Sequence, residues 1–168
     1  MPKKFEKQFI SYCENQDLEV NSNQITVIKK LENYHHTNYK SFFSKLFSKQ
    51  QSKKGFYLYG GVGVGKTMIL NFFYDHLDGK KLKKHFNEFM LGFHDFVHER
   101  KEKKEENIIN QFVKNLKSKA SLIYFDEFQV TNIVDAMILG KLFEQIFKED
   151  IKIILTSNTK ISELYKEG

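Results

Sequence analysis

Apolar residues along this chain alternate between short unbroken runs and longer stripes at helical spacing. Gly55–Tyr59 (GFYLY) is a short aromatic-rich run that reads as a buried strand. Lys66–Leu77 then carries Met68, Ile69, Phe72, Phe73 and Leu77 at the spacing of a helix. After a turn at Asp78-Gly79, Lys81–Met90 (KLKKHFNEFM) reads as a second strand, and a helical pattern resumes over Leu91–Arg100. It breaks into the charge run Glu99–Glu106, which reads as a solvated helix face or loop. Ile108–Leu116 follows as a short amphipathic helix. Leu122–Phe125 is four apolar residues in a row, the signature of a strand buried on both faces. Val134–Phe147 has Met137, Ile138, Leu142, Phe143, Ile146 and Phe147 on one helical face, and Ile151–Leu155 is a last apolar strand. Repeated strand-helix units of this kind predict an α/β fold, a doubly wound parallel sheet with helices on both faces.

Upstream the pattern is helical only. Ile25, Val27, Ile28, Leu31 and Tyr34 predict a helix over Gln24–Tyr34, with Asn21–Asn23 as its cap region. Tyr39, Phe42, Phe43, Leu46 and Phe47 form a second stripe, and Ser48–Lys54 (SKQQSKK) is a polar connector. The expected organisation is therefore a helical segment over 1–50, packing on a core over 51–168.

Composition narrows the class. The chain has 168 residues, enough for one domain with a real core. Cys13 is the sole cysteine, which excludes an internal disulfide and fits a reducing compartment. No apolar run approaches the roughly 18–20 residues that span a bilayer, no signal-peptide pattern opens the chain, and Glu6 and Glu14 speak against an organellar transit peptide. A cytoplasmic protein is expected. The net charge of +6 invites a nucleic-acid partner, but Arg100 is the only arginine, and readers of bases and phosphates favour arginine. Nucleic acid is not expected as a partner.

The chemistry concentrates in Gly60–Thr67 (GGVGVGKT), which fits G-x-x-x-x-G-K-[S/T]. Phosphate oxygens need several backbone N–H groups converging on one point, so the loop must curl tightly without side chains in the way. Gly60, Gly61, Val62, Gly63, Val64, Gly65, Lys66 and Thr67 are the expected nucleotide-binding residues. Lys66 supplies a point charge for the β- and γ-phosphates, and the Thr67 hydroxyl is placed to hold Mg²⁺. A preceding strand and a following helix are the context that this motif requires.

About sixty residues after Lys66, Ser121–Glu127 (SLIYFDE) ends an apolar strand in two acids. In α/β sheets ligands sit at that strand edge. Asp126 is the candidate for holding Mg²⁺, directly or through another ligand, and Glu127 for polarising the attacking water. The strand Ile151–Leu155 runs into Thr156-Ser157-Asn158-Thr159, where Asn158 or Thr156 is placed to touch the γ-phosphate or the water. Lys66, Glu127 and Asn158 are the candidate catalytic groups. The acid pair and the lack of an N-K-x-D motif favour ATP over GTP. His35 and His36 have no further ligands nearby in sequence, so no metal site is read there.

Leu58–Tyr74 (LYGGVGVGKTMILNFFY), His85–Met90 (HFNEFM), Phe125–Leu139 (FDEFQVTNIVDAMIL), Thr156-Ser157-Asn158 and Glu163–Gly168 (ELYKEG) together resemble the ZapE / Afg-one-like ATPases, AAA-type P-loop proteins of bacteria and mitochondria. The resemblance runs from about residue 20 to the end. It implies that Lys66 and Thr67 belong to the nucleotide loop, that Asp126 and Glu127 are the acid pair, and that Asn158 is the γ-phosphate sensor. It also implies a homo-oligomer that uses ATP and Mg²⁺ to remodel a partner protein. That partner is the tubulin-like division protein in bacterial cell division, or a substrate of protein quality control. The sequence departs from the family at Asn132, where Asp is usual, at Asn87, where His is frequent, and at Asn71, where Asp is common. Relatives continue beyond the position of Gly168 into a fifth core strand, a trans-acting arginine and a lid, so a C-terminally truncated core is expected. Two other readings stay open: a nucleic-acid-associated ATP switch or helicase loader, and a nucleotide-binding module without turnover.

Overall fold

The computed structural model describes residues 4–38, 54–100, 105–130 and 133–164. The stripe Tyr39–Phe47, most of the Ser48–Lys54 connector, the middle of the Glu99–Glu106 run, Asn132 and the last four residues lie outside them. The chain groups into two compact units, Met1–Phe56 with Gly65–Leu77, and Tyr57–Val64 with Asp78–Gly168.

Among its described residues the first unit contains three helices: α1 (Lys4–Asn15), α2 (Ser22–Asn38) and α3 (Lys66–Asp75). Phe5, Phe9 and Cys13 recur every four residues and form the buried stripe of α1. α2 buries Ile28, Leu31 and Tyr34, and α3 buries Ile69, Leu70, Phe72 and Phe73. Rings join α1 to α3, with centroids 5.2 Å apart for Phe5 and Phe73 and 5.1 Å for Phe9 and Phe72, within the range where aromatic pairs attract. The start of α2 is capped reciprocally. Asn23 N–H donates to Asn21 Oδ1 at 2.7 Å, and Asn21 N–H donates to Gln24 Oε1 at 3.3 Å. Glu32 is buried because it has work at another helix start: it accepts the N–H of Phe5 in the first turn of α1 at 3.3 Å, where an anion is favoured.

The second unit carries the sheet. Its strands are β1 (Gly55–Tyr59, whose first two residues group with the first unit), β2 (Lys81–His85), β3 (Leu122–Asp126) and β4 (Lys152–Ser157), in the order β1-β4-β3-β2. β2 and β3 pair in parallel, as do β3 and β4, in a register that sets Lys84, Phe125 and Leu155 in one row. Every residue of β3 and β4 is buried, as their continuous apolar runs require. Helices α4 (Phe86–His98), α5 (Glu105–Lys119) and α6 (Ile133–Lys148) belong to the same unit. Phe86, Phe89, Phe112, Leu142 and Ile146 from these helices share one core with Ile123, Phe125, Ile153 and Leu155 of the sheet. From β1 the chain crosses to β2 and then returns through β3 to β4. The winding therefore reverses beside β1, the topology of a doubly wound sheet with its ligand crevice at the carboxyl ends of the strands.

The second strand is shorter than its sequence suggests. It ends at His85, and Phe86 already begins α4. Phe86, Phe89, Met90 and Phe93 are buried at spacings of three and four, so burial of one helical face decides the conformation over 86–90. Among the described residues no helix is long and apolar enough to cross a membrane.

Candidate functional site

The glycine loop leaves β1 at Gly60, whose N–H donates to the carbonyl of Ser157 at the end of β4, 3.2 Å away. Gly63 and Gly65 have φ of 81° and 83°, in the left-handed region open to glycine. A Cβ at Gly61 or Gly63 would meet no atom within 4 Å apart from its chain neighbours, so the loop borders open space. Val62 is 86% exposed, its side chain turned outward. Gly65 is the N-cap of α3, with no side chain capping it, and its carbonyl accepts the first helical bond from Ile69 N–H at 3.0 Å. Lys66, Thr67 and Met68 form the first turn of α3. Helix starts of this kind bind phosphate, since amides and dipole both favour an anion.

The acids stand at the tip of β3. Asp126 is buried, and its Oδ1 accepts a short 2.5 Å hydrogen bond from the hydroxyl of Thr156 on β4. Glu127 N–H points into the same pair, 3.2 Å from Asp126 Oδ1 and 3.1 Å from Thr156 Oγ1. Glu127 has φ 56°, a left-handed backbone that costs a non-glycine residue about 1–2 kcal/mol. Its side chain is 78% exposed. The next residue is anchored as well: Phe128 N–H donates to Thr156 O at 2.7 Å, and Ser157 Oγ donates to Phe128 O at 2.8 Å. Burial, followed by the charge of Asp126, pushes the Tyr124 phenol far above its ordinary value, so it stays neutral beside the acids.

Asn158 is exposed just past β4. Its loop is held from two sides, by Thr159 N–H donating to Ser157 Oγ at 3.1 Å and by the Tyr57 hydroxyl of β1 donating to Thr159 O at 2.7 Å. Gly60, Asp126, Glu127, Thr156 and Asn158 accordingly share the carboxyl edge of the second unit's sheet. Lys66 and Thr67 belong to the first unit, as continuations of the same loop backbone.

Two neighbours of the acids were not singled out as site residues by sequence. His85 ends β2 in register with Asp126, and its Nδ1 lies 3.9 Å from Glu127 Oε2. Ser157 anchors Phe128. The signal for Ser157 is that it stands where an apolar strand gives way to polar residues, at the same edge as the acid pair; His85 carries no such signal, since its strand KLKKH is polar and Phe86 follows it.

A family model for AFG1-like ATPases matches residues 7–168. Lactation elevated protein 1 homolog B of Danio rerio is 40% identical over 131 residues, covering 72% of this chain and 26% of that protein. The cell division protein ZapE of Escherichia coli (strain K12) is 37% identical over 132 residues, covering 74% and 34%. The chain thus spans about a quarter to a third of the length of these curated relatives. Domain III of the Thermotoga maritima replication initiation protein DnaA shares the fold, with TM-score 0.61, 19% identity and coverage of 90% of this chain and 58% of that one.

Proposed function

The chain belongs to the AFG1-like ATPase family, and from that premise we propose that it binds Mg-ATP and hydrolyses it. The observation that carries this reading is the acid pair at the carboxyl edge: an exposed Glu127 carboxylate on a backbone held beside a buried Asp126. Gly60, the first residue of the glycine loop, leaves the same edge.

In this reading the loop amides from Gly60 to Thr67 and the Lys66 ammonium hold the phosphates. The open space beside Gly61 and Gly63 and the uncapped start of α3 suit an anion. Thr67 and Asp126 would hold Mg²⁺, and hard oxygen donors of this kind are what that cation takes. The metal, when bound, neutralises charge on the phosphates. Glu127 orients and polarises the attacking water, and Asn158 reads the γ-phosphate. Catalysis on these terms is positional and electrostatic.

Turnover is coupled to remodelling of a partner protein by a homo-oligomer in the cytoplasm. A role in cell division is supported by the name of the ZapE relative. Titration with a fluorescent ATP analogue tests the site itself. Lys66→Ala weakens binding at least about ten-fold, in line with the loss of a charge-assisted phosphate contact; an unchanged affinity contradicts the assignment.

A further inference from the structure

Thr156 stands between the two acids. Its side chain is 2% exposed, in β4, and the hydroxyl both donates to Asp126 Oδ1 and accepts from Glu127 N–H. Its carbonyl accepts the N–H of Phe128. One residue therefore takes up the carboxylate of Asp126 and the next two backbone amides. A hydroxyl is suited to this because it is a donor and an acceptor at once. The left-handed φ of Glu127 coincides with these contacts, and a backbone of that kind persists where surrounding bonds over-determine it.

We propose that Thr156 is a positioning residue. Its hydroxyl orients the Asp126 carboxylate for the cation and holds Glu127 in the left-handed backbone that presents the Glu127 carboxylate to solvent. The proposal rests on the Mg-ATP reading for its consequence and on the hydrogen bonds alone for its geometry. It gives Thr156 a different task from contact with phosphate or water, which stays with Asn158. It also makes β4 the strand that sets the acid pair: Asn158, two residues beyond Thr156, then shares a rigid support with Glu127.

The test compares the chain with Thr156→Val, which keeps the shape and removes the hydroxyl, and with Thr156→Ser, which restores it. Two quantities are read: hydrogen exchange of the Glu127 amide, and affinity for a fluorescent ATP analogue with and without Mg²⁺. Thr156→Val raises Glu127 exchange at least about ten-fold, because one of the amide's two acceptors is gone and the other, Asp126 Oδ1, loses the hydroxyl that holds it, while distant amides keep their protection. It lowers the Mg²⁺-dependent gain in affinity by about ten-fold or more, the usual effect of removing a hydrogen bond to a metal ligand. Metal-free affinity is unchanged, and Thr156→Ser recovers both quantities. Unchanged exchange at Glu127 in the folded Val variant overturns the proposal. So does an equal loss of affinity with and without Mg²⁺, which marks a general structural role. If the parent chain binds no nucleotide, the Mg-ATP reading fails, and the exchange measurement still decides whether Thr156 holds Glu127.

Discussion

The side-chain amide of Gln24 crowds the place that a side chain on Gly65 would take. A Cβ built there would lie 3.0 Å from Gln24 Nε2 and 3.5 Å from Met68 Cε, on a backbone with φ 83°. Gln24 belongs to the capped start of α2, and Gly65 caps α3. The start of one helix thus abuts Gly65, the N-cap of another.

Gly65→Ala is accordingly expected to destabilise the chain by about 1–2 kcal/mol from the left-handed backbone alone. It also weakens nucleotide binding by shifting the loop. Adding Gln24→Ala relieves the crowding and leaves the backbone term. Urea unfolding of the two single variants and the double variant checks this. Gln24→Ala by itself also loses the acceptor for Asn21 N–H, so a double variant whose loss equals the sum of the two single losses would show that crowding by Gln24 contributes nothing.

The cap of α2 makes a separate prediction. Asn21→Ala removes the acceptor for Asn23 N–H at 2.7 Å, so a loss of about 1 kcal/mol is expected, and Asn21→Asp retains most of it. Thermal unfolding of both variants is the measurement. Equal loss in Ala and Asp would mean that the acceptor does not matter.

His35 predicts how stability follows pH. Its ring packs edge-on against those of Phe5 and Phe73, with centroids 6.2 and 6.3 Å away. Burial first, and the neighbouring His36 next, hold its pKa below the ordinary 6.5, against an opposing pull from Glu32. A base with a lowered folded pKa binds its proton more readily in the unfolded chain. The contribution of His35 to stability is therefore intact above about pH 6.5 and declines as pH falls towards the folded value. His35→Phe keeps an aromatic ring in the site and flattens that decline. Melting temperatures of both proteins between pH 5 and 8 test it, and parallel curves would remove His35 as the source.

Much of the candidate site was legible because its parts are local. The glycine spacing, the apolar run ending in Asp126-Glu127 and the run ending at Asn158 lie within short windows, and strand burial follows from unbroken hydrophobicity. The cap at Asn21–Asn23 was legible for the same reason. Helix α1 was missed, since Phe5, Phe9 and Cys13 are spread among charged and polar residues and its stability comes from rings on α3. The boundary at His85 was missed because KLKKH and FNEFM join without a glycine or proline. The task of Thr156 was hidden for a deeper reason. Its partner lies thirty residues away, and only the register of β3 against β4 brings the hydroxyl to the carboxylate.

The central claim is that Glu127 activates water for ATP hydrolysis. Mg-ATP turnover by the chain and by Glu127→Gln, measured across protein concentration alongside nucleotide affinity, tests it most directly. The account predicts turnover that rises per molecule with concentration, as neighbouring copies associate, and a loss of about 10²-fold or more in Glu127→Gln with affinity retained. A Glu127→Gln variant that hydrolyses ATP at the parental rate would contradict it.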